Sequence, residues 1–292
     1  MKFLALLSVL APFVWAQTTT APGLGNFTFD ELYNLQVNFL NNYTYPNNVV
    51  QAESINSTLF AENVLGRVDI TRTFDGRELN TEYMFGLFAN LAANPNALSL
   101  LGVPLSYEIL QFAANDYITS ATARIMFNFT SLNLMVPVEV GLWHAWNDQG
   151  QVLQYDATFK WFDWLLDYVV DSSMPLFGVN TTTAAVGVLT DLLAQSICAT
   201  ATEFCVGANL QYDNTTDCYN YLTQDVRFGE AYELGRNTLL CRMVHQNMVP
   251  YRPGVHCPHI GPSGGGYCTD DMTYDSTVND NYFTTPFVPY GY

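Results

Sequence analysis

The chain has 292 residues, 49% of them hydrophobic and 14% aromatic, with ten Lys and Arg against 27 Asp and Glu for a net charge of −17. So much apolar material excludes a disordered chain and allows one large domain, or a domain with a substantial appendage. The acidity excludes polyanionic partners, so neither nucleic acid nor an anionic membrane surface is expected, and it suits solubility in an acidic extracellular medium.

The first sixteen residues, "MKFLALLSVLAPFVWA", place Lys2 before an apolar run and end on Val14 and Ala16 as small residues ahead of Gln17. That pattern predicts a signal peptide over residues 1–16, too short to span a bilayer, and hence a secreted, extracellular protein. No later membrane span is expected, because Asp163, Asp167 and Asp171 interrupt the best candidate. Asn26, Asn42, Asn56, Asn128, Asn180 and Asn214 each open an N-x-Ser/Thr triplet and are expected to carry glycans, which requires them to face solvent.

Asn26–Tyr45 carries Leu32, Leu35, Phe39 and Leu40 at helical spacing, with Asp30 and Glu31 near its start, where the helix dipole favours them. After a short helix or loop, Asp75–Gly76 closes a strand. A second helix follows with Met84, Leu87, Phe88 and Leu91 on one stripe, stopped at Pro95. Period-two patterning then predicts strands at Ser106–Ala113, Ile118–Asn128, Val136–Trp146 and Gln151–Trp161. Helices followed by a run of antiparallel strands is the α+β plan, with helices packed on one face of a curved sheet.

If "NDQG" (Asn147–Gly150) is the hairpin loop, Trp146 stands opposite Gln151. Val138, Val140, Leu142, His144 and Trp146 then share an inner face with Leu153, Tyr155, Ala157, Phe159 and Trp161. Glu139, Gln154, Asp156, Thr158 and Lys160 fall outside. A slip of one residue would spoil both faces.

All six cysteines, Cys198, Cys205, Cys218, Cys241, Cys257 and Cys268, lie in the last third. They predict disulfides in fifteen possible connectivities, holding a stapled C-terminal part beside an N-terminal part built on core packing alone. The expected layout is a cone over residues 17–170, a linker and helix over 171–197, and a cysteine-rich, partly helical extension over 198–292.

The segment "RVDITRTFDGRELNTEYMFGLFA" leading into a long twisted hairpin sheet resembles the NTF2-like superfamily, in its SnoaL-like form, over roughly Phe27 to Tyr168. The resemblance implies a conical barrel with a deep apolar pocket, a design that serves isomerases, cyclases and dehydratases as well as non-enzymatic binding modules. "CRMVHQNMVPYRPGVHCPHIGPSGGGYC" resembles the cysteine-rich extensions of secreted proteins of filamentous fungi.

His144 is the one titratable side chain placed inside the cone, with Tyr155 on the neighbouring strand. As a catalytic pair they would exchange protons over an apolar substrate bound by Leu142, Trp146, Leu153 and Phe159. The competing reading is a neutral core histidine. His245, His256 and His259, three of only four histidines, suggest a zinc or copper site. Pro258 and Pro262 argue instead for an extended segment whose side chains diverge, so no metal and no cofactor are expected. Gly264–Gly266 has no Lys or helix start after it and reads as a tight turn that lets Cys268 reach its partner. The leading function is binding of a small apolar ligand. The alternatives are an isomerase, cyclase or dehydratase using His144 and Tyr155, and a non-catalytic cell-surface or matrix protein whose cone is filled by its own side chains. The oligomeric state is left open.

Overall fold

Thr28 starts the first helix, α1 (Phe29–Tyr43), through a reciprocal cap: its hydroxyl accepts from the Glu31 N–H, and the Glu31 carboxylate accepts from the Thr28 N–H. The computed structural model describes residues 23–93 and 98–289, so the signal peptide expected over 1–16 lies outside the described residues. The inner face of α1 is Leu32, Gln36, Phe39, Leu40 and Tyr43. α2 (Asn47–Ser54) follows, then β1 (Phe60–Val68) and β2 (Thr73–Asp75). The expected second helix forms as α3 (Arg77–Thr81), a π-helical turn at Glu82–Gly86, and α4 (Leu87–Ala93).

β3 (Val103–Asn115), β4 (Ile118–Phe129), β5 (Leu134–Trp146) and β6 (Val152–Phe159) complete a six-stranded sheet of order β2-β1-β6-β5-β4-β3. Every pairing is antiparallel except β1 with β6, which is parallel. The fold is α+β: helices pack on one curved sheet to form a cone, and a helical C-terminal region carries three disulfides. On β5, Val136, Val138, Val140, Leu142, His144 and Trp146 are all buried, as period two requires.

The β5–β6 register departs from expectation by two residues. His144 pairs with Tyr155, Leu142 with Ala157 and Val140 with Phe159. An even displacement leaves each of those side chains on its expected face. The adjustment is made at a bulge: Ala145 pairs with Gln154 but Trp146 with Val152, so Leu153 is the extra residue. Val152, not Leu153, is therefore fully buried. Nor does β6 reach Trp161, which takes a left-handed conformation (φ 56°) ahead of the next helix and is 60% exposed.

α5 (Phe162–Phe177), α6 (Thr182–Phe204), α7 (Thr215–Asn220), α8 (Leu239–Gln246), α9 (Pro253–Ile260) and α10 (Tyr274–Val278) form the rest. Cys198 pairs with Cys218, Cys205 with Cys257 and Cys241 with Cys268, leaving no free cysteine. α6 runs through the boundary placed at 197/198. It is also long and apolar enough to cross a membrane, with a mean hydropathy of 1.5, so the best candidate span is α6 and not the stretch around Asp163–Asp171. Here its face of Ala185, Leu189, Leu193 and Ile197 is built into the same hydrophobic core as the sheet, and Cys198 ties it to α7.

The C-terminal tail returns across the outer face of the sheet. The Tyr117 hydroxyl donates to the Pro286 and Val288 carbonyls, and Arg67 lies over the Phe283 ring. The Thr285 N–H donates to Gln154 Oε1, which explains why Gln154 is buried although it points outward.

Candidate functional site

The inner face of the sheet and the helices enclose a cavity of about 110 Å³. Val138, Val140, Leu142, Ala157 and Phe159 wall it from the sheet, Phe39, Leu87 and Phe88 from the helices, and Phe162, Leu165 and Leu166 of α5 close it. Of the residues expected to hold a ligand, Leu142, Phe159 and Tyr155 line this space, whereas His144, Trp146 and Leu153 do not.

Tyr155 is one of the lining residues. Its hydroxyl lies over Gly66 next to Asn80 Oδ1, within 2.4 Å of where a Gly66 Cβ would stand, so only glycine leaves room there. Neither the hydroxyl nor Asn80 Oδ1 has a hydrogen-bond partner among the described residues. Burial pushes the Tyr155 hydroxyl pKa up, so it is a neutral donor.

His144 faces inward but away from the cavity, in a chain of buried polar groups. The Trp146 indole N–H donates to Thr119 Oγ1 (3.1 Å), the Thr119 hydroxyl donates to Gln36 Oε1 (3.0 Å), and His144 Nδ1–H donates to the same oxygen (2.9 Å). Gln36 Oε1 only accepts, which fixes the proton on Nδ1 and leaves Nε2 bare. Burial lowers the His144 pKa to about 3, so the ring is neutral. His144 and Tyr155 are cross-strand neighbours with ring centroids 6.3 Å apart, and His144 directs its hydrogen bond to Gln36 instead.

The three C-terminal histidines depart most from expectation. The segment around Pro258 is not extended. It is the helix α9, which Pro253 starts at its first turn, and it puts His256 and His259 three residues apart on one face. α8 brings His245 to them. His259 Nδ1 lies 3.0 Å from His245 Nδ1 and 3.3 Å from His256 Nδ1, and all three side chains are buried. Burial, with the neighbouring imidazoles adding to it, holds His245 well below the ordinary histidine pKa and His259 at about 3, so both rings are neutral.

The cone supplies the surroundings of this cluster. Glu82, on the π-helical turn and wholly buried, accepts from His256 Nε2–H (3.0 Å) and from Arg252 through both carboxylate oxygens. Burial alone would raise its pKa, but the His256 and Arg252 hydrogen bonds outweigh that and hold it ionised. Tyr83, the next residue, lines the cavity with its ring and sets its hydroxyl 3.1 Å from His245 Nδ1. Gly265 (φ 55°) presses on His259: a Cβ there would meet the imidazole Cδ2 at 2.5 Å. The triple glycine thus packs the cluster as well as turning the chain towards the Cys241–Cys268 bond.

Glu82, Tyr83 and Gln36 escaped the sequence reading. Gln36 stands four residues after Leu32 on the apolar stripe of α1, where a polar side chain signals a buried partner. Glu82 is a carboxylate just before the apolar run of α4, in a turn whose π geometry had no sequence signature.

The chain matches the BfoA N-terminal domain over residues 37–157 and the BfoA family C-terminal domain over residues 161–271. It is 53% identical over 264 residues to the bifonsecin B biosynthesis cluster protein A of Aspergillus brasiliensis, covering 90% of this chain and 87% of that one. The chain belongs to the BfoA family. Another relative, the aurasperone B biosynthesis cluster protein A of Aspergillus niger, is 52% identical over 270 residues, covering 92% of this chain and 86% of that one. Among solved structures, a candidate SnoaL-like polyketide cyclase from Jannaschia matches 54% of this BfoA-family chain and 98% of its own, at 14% identity and a TM-score of 0.35. A Catenulispora acidiphila protein with a ketosteroid isomerase-like fold matches 50% of this chain and 93% of its own, at 12% identity and a TM-score of 0.33.

Proposed function

We propose that this BfoA-family protein binds a small apolar molecule in the cone cavity, and that the molecule belongs to a biosynthetic route of the kind for which its relatives are named. The carrying observation is the cavity itself: its walls are predominantly apolar, and Tyr155, whose buried hydroxyl has no hydrogen-bond partner among the described residues, is one of the lining residues. The space speaks against a cone filled by its own side chains, as a purely structural protein would have. Three disulfides with no free thiol suit an oxidising compartment. Of the six expected glycosylation sites, Asn26, Asn56, Asn180 and Asn214 are exposed and Asn42 and Asn128 are half-buried. Secretion as a glycoprotein is therefore part of the proposal.

A second reading, an isomerase, cyclase or dehydratase using His144 and Tyr155, is favoured by the bare His144 Nε2 and the unpaired Tyr155 hydroxyl. Against it, His144 is not in the cavity wall and no carboxylate lines the space among the described residues. Organic extraction of the protein from its native source, followed by mass spectrometry, tests the binding claim: one apolar compound in near-stoichiometric amount is expected. Turnover of that compound by wild type but not by Tyr155→Phe would establish the second reading.

A further inference from the structure

The three buried histidines form a constellation that hydrogen bonding alone does not satisfy. An imidazole nitrogen carries either one proton or one lone pair. His259 Nδ1 faces two other Nδ1 atoms, at 3.0 and 3.3 Å. A hydrogen bond to one of them uses up its single proton or lone pair, and the second contact is then left without a matching partner. A cation that accepts all three lone pairs removes the conflict. The spacing agrees, since ligands at 2.0–2.1 Å in a tetrahedron are separated by about 3.3–3.4 Å.

The surroundings fit the same reading. His256 gives its Nε2–H to Glu82, which fixes the tautomer with a bare Nδ1 pointing into the cluster, and Arg252 holds Glu82 in turn. A carboxylate behind a histidine in this way is the usual outer support of a ligating imidazole. The sulfurs of Cys241 and Cys268 lie close to His245 but are bonded to each other, so nitrogen is the available donor. Tyr83 Oη lies beside the cluster, 3.1 Å from His245 Nδ1. The net charge of −17 draws cations to the molecule.

We infer that His245, His256 and His259 bind one divalent transition-metal ion of the zinc and copper class through their Nδ1 atoms, with Glu82 as outer support and Tyr83 beside them. The site is closed to solvent, and it joins α8 and α9 of the C-terminal region to the helix that carries Glu82 and Tyr83. It locks the stapled half of the molecule onto the cone directly behind the Tyr83 ring, which is also a wall of the ligand cavity.

The test uses the full chain without a histidine tag, produced in medium supplemented with zinc and copper, and reads metal content after exhaustive dialysis. About one equivalent of Zn²⁺ or Cu²⁺ is expected on wild type and none on His259→Ala. Co²⁺ uptake should give the intense visible bands of a tetrahedral site. Glu82→Gln, which preserves shape, should keep the stoichiometry while weakening retention against a chelator by roughly 10–100-fold. Should His259→Ala fail to fold, Glu82→Gln decides, and unchanged retention overturns the proposal. Wild type that takes up neither Zn²⁺ nor Cu²⁺, or a folded His259→Ala that holds as much as wild type, also overturns it. Metal content is read independently of any compound in the cone, so failure here leaves the binding proposal standing.

Discussion

Glu82 Oε2 lies 3.0 Å from His256 Nε2, and 174 residues of chain separate the two. This contact and the Arg252 ion pair to the same carboxylate bury a full negative charge between the cone and the C-terminal helices. Removing the cation alone strands that charge. Arg252→Met should lower stability by about 3–5 kcal/mol, and adding Glu82→Gln should restore part of the loss. Urea unfolding of both single variants and the double variant checks this; additive losses would show that the pair is not coupled.

His144 predicts a pH dependence whose sign follows from its burial. Its folded pKa, about 3, is below the unfolded value of roughly 6.5, so on acidification the unfolded chain takes up a proton that the folded chain refuses. Its contribution is full above about pH 6.5 and falls by roughly 1.4 kcal/mol per pH unit between that value and the folded pKa. His144→Gln does not titrate and should flatten the wild-type decline between pH 6.5 and 4 by about this slope. Parallel stability curves for the two proteins would show that His144 is protonated in the fold.

Gly265 and Gly266 both take positive φ, but only Gly265 touches a histidine. Ala at Gly266, with nothing within 4 Å, should cost only the left-handed conformation, about 1–2 kcal/mol. Ala at Gly265 must also displace His259, so its melting temperature should fall further than that of Gly266→Ala. Equal shifts would show that the loop yields without disturbing the imidazole.

The Cys205–Cys257 bond closes a span of 52 residues and ties the end of α6 to α9. Replacing both cysteines by alanine should cost about 4 kcal/mol, from the chain entropy regained on unfolding. Thiol labelling of the unfolded, unreduced wild type should find no free thiol. A labelled pair would contradict the closed framework.

Where a face alternates, the sequence was sufficient: strands β3 to β6 and the inward set on β5 follow from period two alone. The β5–β6 register was not legible, because slips by two residues keep every face intact and only the bulge at Leu153 decides among them. The histidine cluster was misread for a local reason. Pro258 argues for extended chain, yet a proline is tolerated in so short a helix, and helical spacing makes His256 and His259 converge where extended spacing would separate them. His245, Glu82 and Tyr83 join them only through tertiary packing, which no local pattern encodes. The cavity lies in the same class, since its volume depends on how α5 closes over the sheet.

The ligand-binding claim is tested most directly by filling the space. Ala157 is a small residue on the cavity wall, opposite Leu142. Ala157→Phe should occupy the cavity with its own ring while leaving the sheet pairing intact. Wild type and variant, recovered from the native source and extracted with organic solvent, would be compared by mass spectrometry. The account predicts one apolar compound on wild type, reduced at least tenfold on a folded Ala157→Phe protein. Equal amounts on both proteins, or no compound on wild type, would contradict it.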